Sequence, residues 1–201
     1  MIIKNVTLIN EGYVHCSSNF YSCNDILNGS SFCFTNGINK MVGEIDSGIW
    51  AASYLLSMYK YKPEDFVLFQ PPKVLVNGKA ISLDEANNFT CYMDKAYPLF
   101  SENLSVRELV TKGLERSKVE YTENDIKKMF DLSEQRFERP LNTAGNEIFR
   151  AMSAVAVAND KQILCFPWLS KMRFDSYRNN LSDLLHVLEK TEKVVIVPIG
   201  N

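Results

Sequence analysis

Apolar and polar positions change rhythm several times along this chain. Residues 2–8 alternate, and residues 31–34 form a second apolar segment that runs into Asn36–Gly37. The first 42 residues therefore read as short strands separated by turns. Met41 and Val42 end a strand that feeds Gly43. From Gly48 the period lengthens. Ile49, Ala52 and Leu56 recur at helical spacing, which predicts a helix over 48–60. An apolar run at 66–70 stops at Pro71–Pro72. Residues 74–76 and 80–82 flank Asn77–Gly78, a two-residue hairpin signal, and residues 89–93 read as another strand.

A polar, helical stretch begins at Ser105. Ser105 with Glu108, and Thr122 with Asp125, have the spacing of capping boxes. A helix follows over 147–158, with Ile148, Met152, Val155 and Ala156 on one face. Residues 163–166 are wholly apolar, as suits a strand covered on both faces. Residues 175–189 read as one helix with a stripe of Leu181, Leu184, Leu185 and Leu188, and 194–197 as the last buried strand. Strand, helix, strand, helix, strand is an α/β plan with parallel pairing. We expect one domain over 1–201, with a helical subdomain at about 104–140 inserted between two halves of a sheet.

Composition narrows the class. The chain has 201 residues, enough for a full core, with 46% hydrophobic and 23% charged. A net charge of −2 gives no nucleic-acid footprint. Cys16, Cys23, Cys33, Cys91 and Cys165 are scattered, form no CxxC and have only His15 and His186 as possible co-ligands. They read as reduced thiols in the cytoplasm, with no metal site. No apolar run approaches the roughly 20 residues that span a bilayer. No signal peptide is expected at the N-terminus.

One stretch carries the frame of a chemistry without its working atoms. Residues 43–50 read GEIDSGIW. A phosphate-binding loop reads G-x-x-x-x-G-K-S/T between a strand and a helix. It works through backbone N–H groups, a helix N-terminus, a lysine for the β- and γ-phosphates and a hydroxyl for magnesium. Gly43, Ser47 and Gly48 keep the frame. Ile49 stands in the lysine place and Trp50 in the hydroxyl place, which predicts an apolar plug where nucleotide would bind.

The order of parts resembles the ATPase domain of ABC transporters. Antiparallel strands precede a phosphate loop and helix. A hairpin, a helical subdomain and a second strand–helix–strand unit follow. CYMDKAYPLF (91–100) resembles the Q-loop, with Lys95 in the glutamine place. SVRELV (105–110) is similar to the opening of the family's helical subdomain. Thr143, Ala144, Gly145, Asn146 and Glu147 stand where the signature motif would, and Arg150 falls where the family's arginine follows. ILCFPWLS (163–170) resembles the Walker B strand, with Pro167 replacing the magnesium-binding aspartate and Trp168 the catalytic glutamate. VVIVPIGN (194–201) resembles the strand that ends in Thr-His, without the histidine. The chain also resembles small degenerate ABC-ATPase-like proteins of Gram-positive bacteria that carry a similar CFPWLS strand end.

The resemblance implies a P-loop NTPase-like ABC ATPase fold, α/β, with a mixed sheet, helices and a small inserted helical subdomain. It implies no catalytic residue, no metal and no cofactor. Three functional readings stay open. The first is a non-catalytic subunit, structural or regulatory, of an ABC transporter complex. Its partner would be a membrane permease, a paralogous ABC ATPase subunit or a second copy, placing it in the cytoplasm on the inner face of the cell membrane. The second is a stand-alone protein-binding scaffold. The third is an ATPase with a nonstandard site, using ATP and magnesium.

Further residues have two readings each. Lys95 and Lys73 are substitute phosphate ligands or solvated lysines. Tyr21 is an adenine-stacking ring or a core tyrosine. His186 is a helix-surface histidine rather than a base. Asp175 reads as a helix N-terminal acid near the family's D-loop aspartate. Asp84, Glu85, Asp94 and Glu102 offer no paired-carboxylate geometry. Trp50 and Trp168 are expected near each other, as a replacement core or an interaction patch.

Overall fold

The structure is a computed structural model, and it describes residues 2–10, 14–18, 21–25, 30–45, 47–61, 71–117, 119–143, 145 and 147–201. The apolar run at 66–70 lies outside them. Near the start come β1 (Asn5–Ile9), β2 (Val14–Ser18), β3 (Tyr21–Asp25), β4 (Ser31–Thr35) and β5 (Gly37–Val42). The first long helix is α1 (Ile49–Met58), continued by a 3-10 turn over Tyr59–Tyr61. Next are β6 (Lys73–Val76), β7 (Lys79–Ile81), α2 (Leu83–Phe89), β8 (Thr90–Tyr92) and α3 (Pro98–Ser101). A helical stretch holds α4 (Val106–Arg116), α5 (Glu123–Met129) and α6 (Glu134–Phe137). The chain returns through α7 (Ile148–Ala158), β9 (Ile163–Cys165), α8 (Lys171–Ser176), α9 (Arg178–Glu189) and β10 (Val194–Ile199).

The antiparallel and parallel pairings fall in separate sheets. One sheet runs β4-β1-β6-β7, all antiparallel, and β2-β3 form a hairpin of their own. In β1 alternation does the work: Val6 and Leu8 are buried, and face Val76 and Val74 across one edge and Phe34 and Phe32 across the other. Asn77 (φ 51°) and Gly78 (φ 77°) make the predicted β6–β7 turn, where two left-handed residues match the strand twist. The Asn77 carboxamide oxygen also accepts from the N–H groups of Lys4 and Asn5, tying the turn to the start of β1.

The second sheet runs β5-β10-β9-β8, all parallel. Every residue of β8, β9 and β10 is buried, which explains their continuous apolar runs. Met41–Val42 and the strand at 163–165 thus lie in one parallel sheet, as the α/β plan requires. All ten residues of α1 are buried. Helices α4 to α6 form the helical insertion. Leu141 N–H donates to Leu104 O and Val106 N–H to Arg139 O, closing its neck.

Three expectations need correction. Residue 89 ends α2 rather than opening a strand. Ser82 caps that helix by accepting from Glu85 N–H at 3.1 Å, and Asp84 and Glu85 occupy its first turn. The helix expected over 175–189 is two, broken at Tyr177, because Ser170 starts an earlier helix by accepting from Arg173 N–H. Asp175 consequently lies in the last turn of α8, not at a helix N-terminus.

Candidate functional site

The loop after β5 lies at the carboxyl ends of the parallel strands, where α/β sheets place function. The ladder runs one residue beyond β5, since Gly43 N–H donates to Ile199 O at 2.9 Å. The chain then turns on itself. Glu44 O accepts from both Ser47 N–H (3.1 Å) and the Ser47 hydroxyl (2.6 Å). Gly48 takes a left-handed conformation (φ 92°) at the N-cap of α1 and brings no side-chain cap.

Gly43 is packed from within the loop. A Cβ there would stand 2.6 Å from Ser47 Oγ and 3.6 Å from Ile49 Cδ1. Ile49 is buried and thus lies beneath the loop, in the lysine place of the motif. Trp168, half-buried after β9, closes the other side. Its indole N–H donates to Gly43 O at 3.2 Å. Its ring lies on Gly200, where a Cβ would stand 2.7 Å from Trp168 Cζ2. Pro167 is half-buried beside it. An open concavity of about 630 Å³ remains outside this arrangement, with Glu44, Trp168, Lys171, Asp175, Gly200 and Asn201 in its lining.

Trp50 does not meet Trp168. It turns into the core and stacks on Tyr54, centroids 4.9 Å apart, and Tyr54 meets Tyr92 edge-on at 5.6 Å. No ring contact joins the two tryptophans among the described residues. All ten residues of α1 are buried, so its second residue has a core to face. Burial holds the Tyr92 hydroxyl pKa well above its usual value, and Asp94 adds to this.

The other sequence candidates are dispersed. Lys95 is exposed in the turn after β8. Lys73 lies in β6, on the antiparallel sheet. Tyr21 lies in β3, and its ring is outside the described side chains. His186 is on the surface of α9 with its Nδ1 4.0 Å from Glu189. Asp94 accepts from Ala96 N–H, Glu102 pairs with Lys112, and Asp84 and Glu85 sit at the start of α2. No group of three potential metal ligands occurs among the described residues.

In the signature segment, Ala144 and Asn146 lie outside the described residues. Gly145 is exposed, with open space where a Cβ would go. Glu147 accepts from Ser133 N–H and hydroxyl. Thr143 O accepts from Arg136, a residue the sequence reading passed over. Arg136 is 5% exposed and donates to Thr143 O at 3.0 Å and Leu141 O at 2.8 Å. Burial pulls its pKa below the usual arginine value, against the opposing pull of Glu147. Only its place beside Phe137 in the short helix that Ser133 caps could have flagged it. Arg150 bridges Asp131 at 2.9 Å and Asp183 at 3.6 Å, tying the helical insertion to α9.

No family model matches the chain, and no curated protein matches it in sequence. Solved structures do. A bacterial Atm1-family ABC exporter with ATP bound superposes with a TM-score of 0.60 at 17% identity, over 100% of this chain and 35% of the exporter's. This chain thus spans about a third of that protein's length. A putative ABC transporter ATP-binding protein from Pyrococcus furiosus gives 0.60 at 13%, over 98% of this chain and 90% of that one. A dimeric ATP-binding cassette in a post-hydrolysis state, bound to ADP and Pi, gives 0.61 at 14%, over 98% and 88%. The fold is therefore that of ABC ATPase domains, with helices packed on the sheets and a helical insertion.

Proposed function

We propose that this protein is a non-catalytic ABC-type subunit, a structural or regulatory component of an ABC transporter complex. One observation carries the reading. The phosphate loop is closed from two sides, by Ile49, buried at the start of α1, and by Trp168 after β9, bonded to Gly43 O. Nucleotide and magnesium do not fit these residues. The loop brings no ammonium, Ser47 Oγ is turned onto Glu44 O, and Pro167 and Trp168 offer no carboxylate. Phosphoryl transfer depends on positioning and charge stabilisation, and Ile49, Trp50, Pro167 and Trp168 supply neither in the places where the motif needs them. In this reading residues 1–201 form one domain with its helical subdomain at 104–140. Its partner is a membrane permease or a paralogous active ATPase, and it works at the cytoplasmic face of the membrane. No helix among the described residues is long and apolar enough to cross a membrane.

Calorimetry with ATP and magnesium tests the site, and no binding in the micromolar range is the expected result. Magnesium-dependent binding at that level would overturn the proposal and make Lys95 and Lys73 suspects. Copurification of a permease or an active ATPase with the tagged protein tests the partner. Its consistent absence would favour the scaffold reading.

A further inference from the structure

All five cysteines of the chain stand in strands, and the strand registers sort them. Cys16 of β2 and Cys23 of β3 are directly opposite each other in the antiparallel hairpin. Cys33 of β4 is opposite Thr7, Cys91 of β8 is opposite Leu164, and Cys165 of β9 is opposite Tyr92. Opposite residues of antiparallel strands have Cα atoms about 4.5–5.5 Å apart. A disulfide spans about 4.4–6.8 Å between Cα atoms. The hairpin is also a sheet of its own: β2 and β3 pair with each other and with no other described strand. A two-stranded hairpin by itself is marginally stable in water. A covalent link between its strands therefore acts where the fold has least stability of its own.

We propose that Cys16 and Cys23 form a reversible redox switch, a cross-strand disulfide whose closure fixes the β2–β3 hairpin. The oxidant is a low-molecular-weight disulfide of the glutathione type. One thiolate of the pair attacks a sulfur of this disulfide, breaks its S–S bond and releases one small thiol. The second thiolate attacks the protein sulfur of the mixed disulfide, closes the cross-strand S–S bond and releases the other small thiol. Two protein thiols are oxidised, one small disulfide is reduced to two thiols, and the two protons pass to those thiols. In a reducing compartment the dithiol is the resting state and the disulfide a transient signal. The other cysteines do not substitute for the pair. Cys91 and Cys165 are fully buried, and burial keeps them protonated and so unreactive. Cys33 is exposed but has no cysteine across its ladder, so it stops at a mixed disulfide. Closing the short loop removes freedom from the open hairpin and favours the paired strands. The proposal is independent of any transporter role or nucleotide.

The full chain, equilibrated in mixtures of reduced and oxidised glutathione and then blocked with an alkylating agent, tests it. Mass spectrometry should show a species that has lost two thiols and gained no glutathione at them. Chymotrypsin cleaves between the two cysteines, after Phe20 and Tyr21, and the resulting peptides should stay joined until a reductant is added. Amide hydrogen exchange over 14–18 and 21–25 should slow roughly tenfold or more on oxidation. Cys16→Ala and Cys23→Ala should each abolish the link and the slowing, whereas Cys33→Ala should leave both unchanged. A wild type that keeps all its thiols, or takes up glutathione without joining Cys16 to Cys23, overturns the proposal. So does a link that needs Cys33, or a Cys16–Cys23 bond that leaves exchange over the hairpin unchanged.

Discussion

Trp168 spends its one donor on a backbone carbonyl, and that bond ties two distant parts of the chain at the mouth of the sheet. Trp168→Ala should lower stability by about 2–4 kcal/mol, somewhat below the range for a fully buried aromatic. Trp168→Phe keeps the apolar face, loses the N–H···O bond and should cost about 1 kcal/mol. Urea titration reads both, and an unchanged midpoint for the alanine variant would defeat the plug. Ile49→Lys sets an ammonium in a buried position without an anion, which is costly. It should destabilise the fold and yield no ATP hydrolysis, by melting and phosphate release. Hydrolysis at an ordinary rate in that single variant would show the site to be less altered than proposed. Ile49 was legible in the sequence because a fixed motif spacing names its place. The direction of Trp50 was not, because spacing does not say which faces of a helix the rest of the chain covers.

Elements were legible where a local device fixed them. Ser105 and Thr122 make both predicted capping boxes, and Asn77–Gly78 makes its hairpin. The carboxyls of those boxes, Glu108 and Asp125, are held below their usual pKa by Ser105 and Thr122 respectively. Helix α2 was missed because its few residues lack a clear apolar period, although Ser82 and Glu85 have capping spacing. The break at Tyr177 was missed because the leucine stripe of α9 hides it. Helices α4 and α7 meet at Gly113, where a Cβ would stand 3.0 Å from the Ala158 carbonyl carbon and collide with the Asn159 carboxamide. Gly113→Ala in an isolated helix gains up to about 1 kcal/mol. Here overpacking outweighs that gain, and we expect a net loss of about 1–2 kcal/mol. Hydrogen exchange should show faster opening of α4 and α7 together, and a stabilised variant would refute the close packing.

Across the whole molecule, the order of parts was readable and their lateral arrangement was not, because pairing partners are set by packing far along the chain. The parallel sheet also buries two thiols, Cys91 on β8 and Cys165 on β9. Burial pushes the Cys165 thiol up to about 12 and Cys91 higher still. The folded protein keeps both protonated. Below the ordinary thiol range neither state ionises, so these groups add no pH dependence. As pH rises beyond it, the unfolded chain loses protons first, and stability falls until the folded thiols also ionise. Urea midpoints should therefore drop between about pH 9 and 11, and Cys165→Ala should flatten that drop. The order β5-β10-β9-β8 carries a consequence of another kind. The strand that holds the sheet together is the latest of the described strands to be synthesised, and Asn39 and Val195, bonded across it, are 156 positions apart. On the ribosome, β5 and β9 must wait with a gap between them while the intervening chain emerges. Such long-range pairing is slow and leaves apolar edges open to aggregation. A nascent chain stalled before Val194 would be a client for chaperones, and insertion of β10 would be the event that releases it.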